Sequence, residues 1–416
     1  MNRNLRLLGI GVAVRMLGNA IYFPFLALFL RNELGVSYLG IGAIFVGVGL
    51  IQLPFNYLGG LLTDRIGRRR LILLGLVAES AATAALAYAF ALHSLAGAIL
   101  AATVGGTVAT IAGPASSAYI SDFAEGEERT RGFTFYRIGF NAGYSAGVTL
   151  GGILISIVGF AWAVGGAAII IVGGTALLAA TLEPSPMDLS LGVGKNSFER
   201  QRLRSASPPA RSLRESFRIL ARDSVALELL VAVALAAVVV GQWAVTFPLF
   251  VRNVLGISYS LLGIGLALNG LVVVFGQTIT TESVVGRRHT TIAIAGLVLY
   301  VGSFLALGSA GIYGFFPVAV FFAAVIVLTI GENLITIPQN TLPSNLAAKE
   351  ELGSYNGAFS MVGGAGFLAS VFIGGVVLSL TPNPLLIWVI LVVPAIPSII
   401  LFRHAAGRLP PHVDRA

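Results

Sequence analysis

A handful of ionisable residues interrupt long apolar runs, and Arg15, Glu79 and Glu332 stand nearest the middle of theirs. An ionised side chain at the centre of a bilayer costs about 2.5–3.5 kcal/mol on insertion scales, so each of these needs a reason to be there. A desolvated carboxyl that changes protonation state is the chemistry of proton coupling, and a charge-paired packing residue is the bland alternative. Glu332 has Asn333, Thr336 and Gln339 close to it in sequence. Glu228, Glu282 and Arg137 lie nearer the ends of their runs, where long side chains reach the interface. Other chemistries lack their residues. The chain has no cysteine and four scattered histidines, so thiol catalysis, disulfides and metal sites with cysteine or histidine spacing are not expected. No HExxH and no Walker loop occurs, and neither an enzyme nor a cofactor is expected.

The elements that position these residues are membrane spans. The composition is 56% hydrophobic and only 11% charged, against about 25% charged in soluble domains. At roughly 20 apolar residues per span, the 416 residues hold twelve spans, at 6–30, 38–62, 71–92, 96–121, 133–157, 160–182, 224–251, 259–282, 291–309, 314–341, 354–380 and 384–402. The basic N-terminus continues into an apolar run to Leu30 without a convincing cleavage site and reads as the retained first span. With both termini cytoplasmic, only Arg31 and Arg252 fall in outer loops and only Arg15 and Arg137 inside spans. Every other Lys and Arg lies in an inner segment or in the central linker, so the net charge of +8 reflects membrane orientation rather than nucleic-acid binding.

The spans form two halves. RNELGVSY at 31–38 recurs as RNVLGISY at 252–259, GRRRLILLGLV from Gly67 as GRRHTTIAIAGLV from Gly286, and GGILIS at 151–156 as GGVVLS at 374–379. Matches in one order at nearly constant offset imply six spans duplicated in parallel orientation, an arrangement whose binding site lies at midplane. The domains are then 1–183, a polar linker over 184–223, and 224–416. In the linker, Arg211, Arg214, Arg218 and Arg222 share one helical stripe and Leu213, Phe217 and Leu220 another, which suits either an interfacial helix on anionic lipid or a solvated connector.

GLLTDRIGRRR at 60–70 resembles the loop motif Gly-x-x-x-Asp-Arg-x-Gly-Arg-Arg of major facilitator transporters, matching at Gly60, Asp64, Arg65, Gly67, Arg68 and Arg69. Physically, Gly60 permits close helix approach, Gly67 a tight turn, and a carboxylate favours another helix N-terminus. The second-half copy keeps Gly286, Arg287 and Arg288 but has Ser283 and Val284 at the Asp64 and Arg65 positions. The resemblance implies a latch in which Asp64 meets the eleventh span near Ser354 and Arg65 pairs with Asp122. NAGYSAGVTLGG at 141–152 resembles the exporter motif Gly-x-x-x-Gly-Pro-x-x-Gly-Gly through Gly143, Gly147, Gly151 and Gly152, with Val148 in place of proline. Arg137 and Asn141 extend the same face. Glycines four apart also serve plain helix packing.

The resemblance implies an all-α membrane protein of the major facilitator fold, with spans 1, 4, 7 and 10 lining the cavity. That favours Glu332 as the proton site and Arg15 as a cavity or pairing charge, with Glu79 a structural partner of Arg15 or a second coupling candidate. Substrate-facing candidates are Asn19, Tyr22, Phe23, Gln242, Trp243, Glu332 and Thr336, an aromatic and amide mix suited to an amphipathic solute. Each is equally a packing residue. The leading expectation is a monomeric cell-membrane exporter driven by protons and touching lipid but no nucleic acid. The alternatives are a proton symporter or facilitator for sugars or organic acids, and a membrane sensor or scaffold on the same fold.

Overall fold

The computed structural model describes residues 2–192, 220, 222–314, 316–348 and 351–415, with the side chains of 56, 57, 64 and 190–192 left out. Most of the predicted linker stripe, including Arg211, Leu213, Arg214, Phe217 and Arg218, lies outside the described residues; a short helix, Pro186–Gly192, opens the linker.

The long helices are α1 (Arg3–Asn32), α2 (Tyr38–Ile66), α3 (Arg68–Ala91), α4 (Leu95–Phe123), then the run Gly126–Thr181, then α7 (Ser224–Asn253), α8 (Tyr259–Val284), α9 (His289–Tyr313), α10 (Pro317–Leu346), α11 (Leu352–Leu380) and α12 (Pro384–Arg408). The 56 residues of Gly126–Thr181 would extend about 84 Å at 1.5 Å per residue, far beyond a hydrocarbon core of about 30 Å. The run breaks at Gly159, whose φ of 79° and ψ of 172° are non-helical. Its limbs are α5 (126–158) and α6 (160–181), and their contacts show that the chain folds back. Along α1, Gly9, Ala13, Leu17 and Ile21 meet Phe135, Gly143, Gly147 and Gly151 in ascending order, whereas Gly11 meets Leu178 and Gly18 meets Ile171 in descending order. α5 therefore runs parallel to α1 and α6 antiparallel. Among the described residues, the eleven helices long and apolar enough to cross a membrane thus provide twelve spans, with the break where the sequence places the boundary between spans 5 and 6.

Two compact units result. The first takes its described residues from Met1–Val36, Gly47–Pro208 and Ser258–Gly270, the second from Ser37–Val46, Pro209–Ile257 and Leu271–Ala416. Each repeat half therefore leaves a short piece in the other unit. The start of α8 packs in the first unit, where a Cβ on Gly152 would strike the Tyr259 carbonyl. The start of α2 packs in the second, where a Cβ on Gly375 would lie 2.5 Å from the Tyr38 carbonyl oxygen. The cores repeat as well. In the first unit Phe29 stacks on Phe90 at 3.5 Å, with Phe160 edge-on. In the second, Phe304 stacks on Trp388 at 4.4 Å, with Phe250 edge-on to Trp388. Such rings bring large buried apolar area and set a defined helix spacing.

Candidate functional site

The first unit holds a polar network between α1 and α3. Arg15, Asn19 and Tyr22 fall on one stripe of α1, and Glu79 and Thr83 lie one turn apart on α3. Arg15 Nε donates to Glu79 Oε2 at 2.6 Å and Arg15 Nη2 to Glu79 Oε1 at 3.2 Å. Asn19 Nδ2 adds a bond to Glu79 Oε1 at 2.6 Å, Tyr22 Oη donates to Asn19 Oδ1 at 3.0 Å, and Thr83 Oγ1 lies 3.4 Å from Tyr22 Oη. The Glu79 side chain is 4% exposed. Two-point pairing plus an amide donor is what lets a carboxylate and a guanidinium persist in an apolar bundle. Asn19 and Tyr22, candidate substrate contacts in the sequence, are members of this network. Phe23 is 60% exposed, in the 3-10 turn Phe23–Phe25 that interrupts α1.

The loop motif organises the end of the first unit where the linker begins. Gly67 has a φ of 99°, a left-handed value suited to glycine, and turns the chain from α2 into α3. Two expectations need correction. Arg65 is exposed, and the partner of Asp122 is Arg68, whose Nε lies 3.1 Å from Asp122 Oδ2. Arg68 starts α3 on the side facing α4, three residues beyond Arg65, so the helix start rather than the α2 end aims its cation at α4. Likewise the close helix approach falls at Gly59, where a Cβ would lie 2.5 Å from the Ile111 oxygen. A Cβ on Gly60 would meet nothing within 4 Å among the described residues. One residue rotates the helix face by about 100°, enough to separate the two. The Asp64 side chain, and with it the contact expected near Ser354, lies outside the described residues. Arg69 binds the end of α6 instead, donating to the carbonyls of Leu182 at 2.6 Å and Ala179 at 2.8 Å. Ser185 Oγ donates to Asp122 Oδ2 at 2.8 Å.

The α5 glycines form a packing rail. Cβ atoms at Gly143, Gly147 and Gly151 would collide with the carbonyls of Ala13, Leu17 and Ile21 of α1, and Gly152 faces α8. Val148, at the proline position of the exporter pattern, is fully buried, with its carbonyl facing Gly263. Arg137 is exposed, and Asn141 Nδ2 bonds back to the Arg137 carbonyl at 3.0 Å.

In the second unit a cavity of about 420 Å³ lies among α7, α10 and α11, with Ala293 of α9 and Phe402 of α12 also in its lining. Gln339, Asn340, Asn356 and Ser360 supply polar groups, Phe359, Phe367 and Phe402 supply rings, and among the described residues no ionisable side chain lines it. Glu332 lies on the same α10 face as Ile335 and Gln339, one and two turns from them. It is half-buried. Thr336 Oγ1 donates to the Glu332 carbonyl at 2.8 Å. Gln242 is fully buried and committed to structure, donating to the carbonyls of Val238 and Ser370 and accepting from Thr246 Oγ1 at 2.6 Å. Trp243 packs against Phe247 at 4.4 Å. Among the described residues no cluster of His, Asp or Glu is arranged to hold a metal ion.

Sequence reasoning did not assign Asn340, Asn356 and Ser360 to a cavity, although the α10 period extended from Glu332 reaches Gln339. It also left Glu228 as an interfacial residue. Glu228 is also paired, with Oε1 2.6 Å from His404 Nδ1 and Oε2 3.1 Å from Arg408 Nη1.

Twelve apolar spans in two repeated sets, with buried charge pairs and a polar-rimmed cavity, define a polytopic membrane transport protein. The chain matches the Major Facilitator Superfamily over residues 8–371 and belongs to that family of transporters. It is 25% identical over 379 residues to the MFS-type transporter YttB of Bacillus subtilis (strain 168), an alignment covering 90% of this chain and 88% of that one. It is 24% identical to the quinolone resistance protein NorA of Staphylococcus aureus over 158 residues, 38% of this chain and 39% of the relative. Among solved structures, a POT family transporter in complex with 5-aminolevulinic acid superposes with a TM-score of 0.75 at 15% identity, covering 99% of this chain and 97% of that one. A D-xylose–proton symporter superposes at 0.68 and 14%, covering 98% and 97%. At these identities the structural likenesses establish the fold.

Proposed function

We propose that this transporter exports an amphipathic small molecule in exchange for protons, by alternating access in a cell membrane with both termini cytoplasmic. The observation that carries the reading is the cavity of about 420 Å³ whose lining, among the described residues, joins carboxamides and a hydroxyl to aromatic rings without a charge, on a helix face that also carries Glu332. Such a lining suits a solute with a large apolar body and a few hydrogen-bonding groups. The glycine rail of α5 and the partial similarity to a quinolone resistance protein support export, and quinolones are the natural first probe. Glu332 is the proton carrier in this reading, and Arg15 with Glu79 is the buried pair that holds α1 to α3. The protein works as a monomer, in contact with lipid. Val148 at the proline position favours uptake by symport as the second reading.

The test is quinolone flux in proteoliposomes under an imposed pH difference, worth roughly 1.4 kcal/mol per pH unit and per proton. Antiport concentrates quinolone in the acidic compartment, about tenfold per unit for one proton exchanged without net charge movement. Glu332→Gln, a permanent mimic of the protonated form, retains downhill exchange, loses accumulation and flattens the pH dependence of binding. Flux of quinolone together with the proton selects symport. Accumulation by Glu332→Gln at the native level removes Glu332 as carrier.

A further inference from the structure

Neither Asp188 nor Asp414 belongs to a motif, yet each occupies the same place in its unit. Asp188 Oδ2 accepts from Arg69 N at 3.1 Å, and Asp414 Oδ1 accepts from Thr290 N at 2.9 Å. Both amides are the second of their helix, α3 beginning at Arg68 and α9 at His289. The residues at the two N-cap positions, Gly67 and Arg288, make no side-chain capping bond of their own. The carboxylate therefore arrives from another segment, just past the end of the sixth helix of each set: PSPMD at 184–188 and PPHVD at 410–414. The opposite tie is duplicated as well. Arg69 donates to the Ala179 carbonyl in the last turn of α6, and Arg288 Nη1 donates to the Ala406 carbonyl in the last turn of α12 at 3.1 Å. Both arrangements have favourable electrostatics, an anion at a helix N-terminus and a cation at a helix C-terminus.

We infer that Asp188 and Asp414 are positioning residues, one carboxylate–arginine clasp per six-helix set, fixing the loops at Gly67 and Gly286 to the ends of α6 and α12. The first clasp also orients the latch. Ser185 donates its N–H to Asp188 Oδ2 at 2.8 Å and its hydroxyl to Asp122 Oδ2 at 2.8 Å, so Asp188 holds the group that aims Asp122 at Arg68. The second clasp is the tighter. Asp414 is fully buried, receives Thr290 Oγ1 at 2.8 Å and lies 3.7 Å from Arg288 Nε, and its carbonyl accepts from His289 N at 2.7 Å. Asp188 leaves its Oδ1 without a hydrogen bond among the described residues. Rigid clasps let a loop move with its helix set when the transporter changes state, so their loss lowers the turnover rate and leaves substrate affinity alone.

Amide hydrogen exchange of the full-length protein in nanodiscs tests the clasp without any substrate. Asp188→Ala speeds exchange at the start of α3 and not of α9, and Asp414→Ala at the start of α9 and not of α3, by about tenfold, in line with the loss of a helix cap. The Asp414 change is the larger. Asparagine caps as well as aspartate, so Asp188→Asn restores most of the protection. It also keeps the experiment decisive if the alanine variants fold poorly. Native exchange at both helix starts in the alanine variants overturns the inference. The transport arm rests on the export reading: in quinolone flux the alanine variants lower the maximal rate at unchanged apparent KM. A raised KM with unchanged rate places the residues in substrate binding and overturns the positioning role. Absence of quinolone flux in the native protein counts against the export reading alone, and the exchange arm still decides the clasp.

Discussion

Arg68 Nε lies 3.1 Å from Asp122 Oδ2, with only 10% and 19% of the two side chains exposed. α3 and α4 are thus tied by a charge pair at the linker end of the first unit, and Ser185 adds a hydroxyl to the same carboxylate oxygen. Arg68→Ala leaves Asp122 without its cation in a half-dry site and lowers stability by about 1.5–3 kcal/mol. Arg65→Ala, on an exposed side chain, stays within about 0.5 kcal/mol of the native protein. Thermal unfolding in detergent measures both; equal effects would detach Asp122 from Arg68.

The Arg15–Glu79 pair gives a second prediction. Glu79→Gln leaves the Arg15 guanidinium uncompensated among apolar neighbours and costs about 3–5 kcal/mol. Replacing both by methionine removes the two charges together and recovers much of that loss, because desolvation of the pair disappears with it. A double-mutant cycle on unfolding midpoints reports the coupling. Additive losses would show that the two residues act separately.

Neighbouring glycines of α2 should behave oppositely. A Cβ on Gly59 meets the Ile111 backbone, so Gly59→Ala costs about 1–3 kcal/mol through overpacking. A Cβ on Gly60 meets nothing within 4 Å among the described residues, so Gly60→Ala gains up to about 1 kcal/mol of helix propensity. Purified yield and unfolding temperature distinguish them. A Gly60→Ala variant that is stable but slow in transport would place the need for this glycine in another state of the cycle.

Membrane orientation is checked by reporters in the loops. Tags within 63–70, 122–132 and 184–222 should read cytoplasmic, and tags within 32–37 and 93–95 external, as the Lys and Arg distribution requires. A reporter at 158–159, where Gly159 breaks the 126–181 run, should also read external. A cytoplasmic reading there would break the twelve-span topology.

The sequence by itself determined the class and the architecture. Hydropathy, the placement of arginines and the repeated segments at 31–38 and 252–259 specify twelve spans in two sets, because a bilayer demands apolar runs of fixed length. It also singled out Arg15 and Glu79, which are conspicuous in apolar runs, but read Asn19 and Tyr22 as substrate contacts rather than as members of their network. Helix rotation and side-chain reach, which only packing fixes, decided the partners. Arg68 rather than Arg65 meets Asp122, Gly59 rather than Gly60 makes the close approach, and Gln242 is spent on backbone carbonyls of α7 and α11. Contacts between distant segments were likewise beyond the sequence. Asp188 and Asp414 look like ordinary polar residues after a span. They become helix caps only when the chain brings the end of a sixth helix beside the start of a third, where unpaired backbone amides await an acceptor.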